Sequence, residues 1–478
     1  MSMSENLKTK TFYSLLWSAF DKIGVQFVAF LVGIVTARLL SPRDFGLMGA
    51  LAIFTILSNA LIESGFTAAL VRRKYNTDSE YVATFYFNIL LSLLIYGILF
   101  VSAPIISEYF RMPELCSLSR FLFLAIIINS FGLVQNVILT KELSFKLLTK
   151  VNLIAVVVSG VCTILLIVFF GLSYWALAWQ QIIMVSLKSL LLWIFSKWRI
   201  SVRPDFSVIK ELFSFSSFLL LTSVVTTVVK YIYNFIIGRF YQVEDLGYYS
   251  QAYKYQQIPS SVITATLTSV AYPVLSKLNG DATRQLLYFR KLVRITALLT
   301  FPIMIGLMAV AEGFIEVFLS AKWLPIAAYF KLLLIAGIFY PFHTLALNIL
   351  TVKGFPKWNF GLEMIRNGLV VIMLIFLHND IMQMLYGFLI ATVASLLIDM
   401  ILVVQKTGYR FFSQLHDVLP YFLVAMLMFG LIKLLSMMPI NIYCLFFIQV
   451  FAGGLFYFLS LRLLGSKLLD DFFELIRK

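Results

Sequence analysis

Five ionisable residues stand inside apolar runs, where a charge is expensive: Asp21, Lys22, Glu63, Lys230 and Lys254. Each is extended by a polar neighbour at helical spacing. Gln26 follows Lys22 by four residues, and Asn59 precedes Glu63 by the same interval. Lys230, Asn234 and Gly238 form one line, and Lys254, Gln257 and Ser261 another. Pro259 lies beside the last line, so a kink is expected there. A charge held in hydrocarbon costs about 2.5–3.5 kcal/mol on insertion scales, so it normally faces a bundle interior or a water-filled cavity. Three lysines against two carboxylates make a slightly basic cleft, which suits an anionic, phosphate-bearing head group. Lys22, Gln26, Lys230, Asn234, Lys254 and Gln257 are therefore the candidate substrate-binding residues. Asp21 and Glu63 are candidates to hold a coupling proton or cation, because the proton affinity of a buried carboxylate shifts readily. Lys188, Glu312, Glu316 and Asp399 lie in other apolar runs. Lys188 and Arg366 are expected to snorkel to the interface.

Such stripes need membrane helices to carry them. Of 478 residues, 61% are hydrophobic and 13% charged, and the mean hydropathy is +0.93. No soluble domain covers that much apolar surface, so the bilayer is the solvent. A spanning helix needs about 20 apolar residues. Fourteen segments qualify, near 12–40, 46–70, 82–105, 118–139, 151–170, 174–195, 212–239, 248–275, 292–319, 327–352, 360–378, 383–404, 418–435 and 442–464. The fold class is all-α and polytopic. The connections are too short for an independent domain of about 50 residues or more, which argues against a large catalytic or receptor domain.

The net charge of +15 raises nucleic acid as a partner. The distribution argues against it: the basic residues fall in short stretches between apolar runs, not in a patch or arm. With the N-terminus inside, 26 of the 38 lysines and arginines fall on the inner side, eight at outer ends and four inside helices. That bias puts both termini in the cytoplasm. Cys116, Cys162 and Cys444 lack metal or disulfide spacing, and His343, His378 and His416 are far apart in the chain. No metal, cofactor or catalytic residue is expected, and no cleavable signal peptide. There is no P-loop or Walker sequence, so transport is expected to be secondary or driven by the substrate's own gradient.

A hinge is written twice. "TARLLSPRDFGLMGA" at 36–50 returns as "IGRFYQVEDLGYYSQ" at 237–251, with Arg38, Asp44 and Gly46 matching Arg239, Asp245 and Gly247. Six spans separate the copies, so both lie on one side and the halves run in the same sense, as in a parallel internal repeat. The arginines are expected to close a helix C-terminus, the aspartates to accept backbone N–H groups opening the next helix, and the glycines to permit close packing or a tight turn. The expected organisation is a six-helix lobe over 1–211, a second over 212–410, and two trailing helices with a cytoplasmic tail over 411–478. The first two helices of each lobe are expected to line a hydrated cleft.

"KTKTFYSLLWSAFDKIGVQFVAFLVGIVTARLLSPRDFGLMG" resembles the opening helix pair of bacterial polysaccharide flippases of the colanic acid exporter type, within the multidrug/oligosaccharidyl-lipid/polysaccharide exporter superfamily. "ESGFTAALVRRK", "YWALAWQQ", "NFIIGRFYQVEDLGYYSQAYK" and "FPIMIGLMAVAEGFIEVFLSAKW" extend the likeness, which weakens beyond about residue 360. The resemblance implies two six-helix lobes plus two helices, alternating access in the bacterial inner membrane, and movement of undecaprenyl-pyrophosphate-linked oligosaccharide to the periplasmic leaflet. It implies lipid-linked oligosaccharide and membrane lipids as partners, with a polysaccharide polymerase and chain-length proteins as further candidates. The family usually has polar or acidic residues just before "IGRF". Here Lys230 and Tyr233 stand in "KYIYN", which puts acid-linked coupling at that point in doubt. Three alternatives stay open: a peptidoglycan-precursor flippase, a drug–cation antiporter, and a polytopic polymerase or ligase. An antiporter for cations would want an acidic cleft, and a polymerase a large outer loop.

Overall fold

The computed structural model describes residues 3–72 and 76–465. The expectations resting on Arg73, Lys74 and the tail residues Lys467, Arg477 and Lys478 lie outside them. Among the described residues all regular structure is helical. α1 (Met3–Leu39), α2 (Pro42–Arg72) and α3 (Asp78–Phe110) are long. The fourth span is built from α4 (Glu114–Leu122), α5 (Leu124–Ser130) and α6 (Leu133–Lys141). α7 (Phe145–Phe170), α8 (Tyr174–Phe195), α9 (Ser207–Phe240) and α10 (Val243–Lys277) follow. Then come α11 (Ala282–Ala309), the single turn α12 (Ala311–Phe314), α13 (Ile326–Val352), α14 (Pro356–Phe376), α15 (Ile381–Thr407), α16 (Phe411–Leu435) and α17 (Ile442–Leu463). Among the described residues thirteen helices are long and apolar enough to cross a membrane, and the bent run from Glu114 to Lys141 makes fourteen.

Local chemistry sets several of the ends. Thr77 and Glu80 form a capping box that opens α3. Gly171 and Gly408 close α7 and α15 in the left-handed conformation, with φ of 62° and 73°. The fourth span departs from the single helix expected over 118–139, bending by 40° between Ser130 and Leu133. Side chains of α8 meet the carbonyls around that break. Trp193 Nε1 donates to the Phe131 carbonyl at 2.8 Å, and Ser189 Oγ to that of Ile128 at 2.9 Å. A helix can break at membrane depth only where such donors replace the lost backbone bonds. α10, by contrast, runs from Val243 to Lys277 without interruption at Pro259.

The surface is inverted relative to a soluble protein. Val101, Phe169 and Phe451 are each 75% exposed, while buried Ser92 donates to Ser130 at 3.1 Å. Small residues admit close helix contact: a Cβ at Gly160 would collide with Val32. An apolar exterior around hydrogen-bonded polar groups is what hydrocarbon demands. The chain is a multi-pass membrane protein.

Two compact units divide it, Met1–Ser250 and Gln251–Lys478. In the first, α7 packs on α1 and α8, and α2 lies along α9. In the second, α13 packs on α11 and α15, α14 on α15, and α16 on α11 and α17. The compact units part inside α10, not at the 211/212 junction read from the duplication, because α9 is held by α2. Duplication and packing mark different boundaries.

Candidate functional sites

The repeated hinge is the best-defined feature of the first unit. Asp44 is 7% exposed, and its Oδ2 accepts from Ser41 N at 2.8 Å and Ser41 Oγ at 2.7 Å. Asp245 repeats the first of these bonds, accepting from Gln242 N at 3.3 Å. In both copies the acid three residues inside the helix returns to the cap residue's N–H, the acidic arm of a capping box. Asp44 also accepts from Tyr174 N at 3.1 Å, tying the hinge to the start of α8. The glycines interlock reciprocally. A Cβ at Gly46 would strike the carbonyl oxygen of Val243, and a Cβ at Gly247 would strike that of Pro42. Gly49 meets Ser250, its own counterpart in the repeat. Each copy of the hinge therefore packs on the other through matching positions, and the glycines serve close approach.

Arg239 does something other than expected. It donates to the Tyr109 carbonyl and lies with its guanidinium 5.0 Å from the Tyr109 ring centre. It thus caps the last turn of α3 instead of its own helix, held there by the ring face. Arg38 is exposed.

The polar stripes divide into exposed and committed residues. Lys22, Lys230 and Lys254 are exposed, and Gln26 is half-buried. Lys230 lies 5.8 Å from the ring centre of Tyr231. Asn234 is 5% exposed and donates to Gly49 O at 3.3 Å and Ser250 Oγ at 3.1 Å, so its amide braces the hinge. Gln257 donates to Gln256 at 3.5 Å. Asp21 accepts from Asn152 Nδ2 at 3.2 Å through both oxygens. Exposed Glu63 accepts from Asn129 Nδ2 at 3.1 Å, and Asn59 shares that donor at 3.2 Å. The two coupling candidates, Asp21 and Glu63, thus meet amides.

The second unit holds a cluster the sequence reading did not assemble. His343 is buried on α13; its Nδ1 lies 2.6 Å from Asp399 Oδ2 on α15 and its Nε2 3.2 Å from Glu363 Oε1 on α14. Arg366 Nη2 stands 2.8 Å from Glu363 Oε2, with its guanidinium 5.5 Å from the Tyr340 ring centre. Arg366 is therefore ion-paired, correcting the expectation that it snorkels. Asp399 is 0% exposed. One signal was legible: His343 lies nine residues before the end of α13, Glu363 seven after the start of α14, and Asp399 eight before the end of α15. Antiparallel neighbours with charges at equal depth are placed to meet. Further ionic groups sit among the described residues of this unit. Asp417 binds Arg290 at 2.7 Å, Arg294 at 2.6 Å and the Tyr409 hydroxyl. Glu312 binds Lys331 and stands 3.8 Å from Lys433.

Two cavities open in the second unit. One of about 180 Å³ lies between α11, α13, α15 and α16, and Asp399 and Gln414 are polar residues on its wall. A larger groove of about 630 Å³ runs between α11, α16 and α17; its walls are apolar apart from Lys291 and Tyr457.

A family of polysaccharide biosynthesis proteins matches residues 35–328. The chain is 31% identical over 287 residues to the teichuronic acid biosynthesis protein TuaB of Bacillus subtilis, covering 59% of each chain. It is 27% identical over 326 residues to the succinoglycan biosynthesis transport protein ExoT of Rhizobium meliloti, covering 68% of this chain and 65% of that one. The matches thus span about three fifths to two thirds of those relatives' lengths. The fold is similar to that of the lipid II flippase MurJ in its inward closed conformation, with a TM-score of 0.78 and 16% identity, covering 96% of this chain and 100% of that one.

Proposed function

This chain belongs to the family of polysaccharide biosynthesis proteins, and on that premise we propose that it is a flippase for lipid-linked oligosaccharide. It moves undecaprenyl-pyrophosphate-linked repeat units from the cytoplasmic to the periplasmic leaflet of the bacterial inner membrane, by alternating access, for surface polysaccharide export. The observation that carries this reading is the pairing of that family with the fold of a flippase for another lipid-linked precursor. Both termini are cytoplasmic in this reading, and the two hinges face the periplasm.

The physics of the cargo supports it. A pyrophosphate crossing hydrocarbon must be compensated by cations. Lys22 and Lys230 of the first unit and Lys254 of the second are exposed and are the candidates for that role, with Gln26 and Gln257 at helical spacing from Lys22 and Lys254 as candidates for hydroxyl groups. The polyprenyl chain is as apolar as the lipid, so the groove bounded by α16 and α17 gives it a lateral seat while the head group is enclosed. A polysaccharide polymerase and chain-length proteins would take the product on the far side.

The test is leaflet-resolved detection of lipid-linked oligosaccharide in cells that lack this protein, with and without its return. Build-up on the cytoplasmic leaflet, relieved on return, is expected. Normal translocation with failed chain extension would point to a polymerase instead. Lys230→Ala combined with Lys254→Ala should lower translocation while membrane insertion stays normal; unchanged translocation would remove both lysines from the substrate path.

A further inference from the structure

We propose that His343, Glu363 and Asp399 form a proton-binding site inside the second unit, whose ligand is one exchangeable proton. A neutral imidazole has one N–H, and an ionised carboxylate only accepts. Yet both ring nitrogens of His343 face a carboxylate oxygen, at 2.6 Å and 3.2 Å. With a neutral ring and two carboxylates, one contact would set lone pair against lone pair. One added proton resolves the conflict, because the imidazolium donates to Asp399 and Glu363 together. The charges of His343, Arg366, Glu363 and Asp399 then sum to zero. Without the proton the cluster carries one net negative charge in a buried site, which is costly.

The two states differ mechanically. Loaded, the ring ties α13 to both α14 and α15. Empty, it can hold only one of them, so proton loss frees a helix. A coupling site needs this difference in packing between its bound and unbound forms. The remaining charged neighbours do not compete for the ring: Arg290, Arg294 and Asp417 on α11 and α16 satisfy one another, and Tyr340 is covered by Arg366. Among the described residues Asp399 Oδ1 has no hydrogen-bond partner. It belongs to a residue on the wall of the 180 Å³ cavity, which is large enough to hold water beside the cluster.

What the proton drives rests on the flippase reading; that it is bound does not. The experiment uses the full chain in lipid nanodiscs with ¹⁵N-labelled histidine rings. His378 and His416 are exposed, so His378→Gln with His416→Gln leaves His343 as the only ring signal. The expected result is a doubly protonated ring that converts to the neutral form as pH rises, with the midpoint moved to lower pH by Glu363→Gln. A ring that keeps one N–H, or keeps two, wherever the protein stays folded would overturn the site, as would a midpoint unmoved by Glu363→Gln. In proteoliposomes carrying lipid-linked oligosaccharide, a pH gradient should change the rate for the wild type, and Glu363→Gln should lose that dependence. Lipid movement blind to the gradient would sink the coupling role. No lipid movement at all would sink the flippase reading and leave the ring titration standing.

Discussion

The two units partner several of their acids in different ways. In Met1–Ser250, Asp21 and Glu63 accept from Asn152 and Asn129. In Gln251–Lys478, Asp399, Glu363, Asp417 and Glu312 each face a histidine, arginine or lysine. The acids that meet amides, Asp21 and Glu63, are half-buried and exposed respectively. A cation neutralises a carboxylate and permits full burial, as at Asp399. The hinge residues of both copies lie in the first unit, whereas the buried histidine–carboxylate cluster lies in the second. A duplicated scaffold need not duplicate its chemistry: among the described residues Asp399 meets a buried histidine, while Asp21 and Glu63 meet amides.

That contrast can be broken by substitution. His343→Leu leaves buried Asp399 and half-buried Glu363 without their shared partner, and should cost about 3–5 kcal/mol of stability. The check is chemical unfolding of the full chain in detergent; a cost near that of an ordinary amide loss would erase the difference between the units. Gly46→Ala and Gly247→Ala test what the halves share. Each drives a methyl group into a backbone carbonyl of the other copy, so both should destabilise by about 1–3 kcal/mol, and by similar amounts. Unequal effects would show the reciprocal packing to be superficial. Asp44→Ala should cost about 0.5–2 kcal/mol by unfastening the cap of α2 and the start of α8. Asn152→Leu, removing an amide from a half-buried acid, should cost only about 0.6 kcal/mol. Finally, in a cysteine-free background, Arg43→Cys and Gln242→Cys should both react with an impermeant maleimide added outside intact cells. Labelling of one alone would contradict the same-side placement of the hinges.

The sequence displayed the frame well because spans are read from one-dimensional hydropathy. It displayed the hinge because Asp44 and Asp245 cap their helices from three residues away, where spacing is geometry. The bend after Ser130 stayed hidden: nothing between residues 118 and 139 forbids a continuous helix, and the groups that stabilise the break, Ser189 and Trp193, lie on α8. Asn234 looked like a cavity residue because its helical stripe was visible and the backbone of Gly49 was not. Arg239 was assigned to its nearest helix end, while its carbonyl partner is 130 residues away. The ionic cluster failed for the same reason: His343, Glu363 and Asp399 are 20 and 36 residues apart, and only their matched depth in antiparallel helices brings them together.

The most direct test of the account is movement of the cargo by the purified chain. Proteoliposomes would carry undecaprenyl-pyrophosphate-linked oligosaccharide, and an impermeant glycan-cleaving enzyme would report which leaflet holds it. The account predicts that the chain equilibrates the lipid between leaflets faster than empty liposomes do, and that Lys230→Ala with Lys254→Ala slows it. A rate equal to that of empty liposomes, with folded protein present, would contradict it.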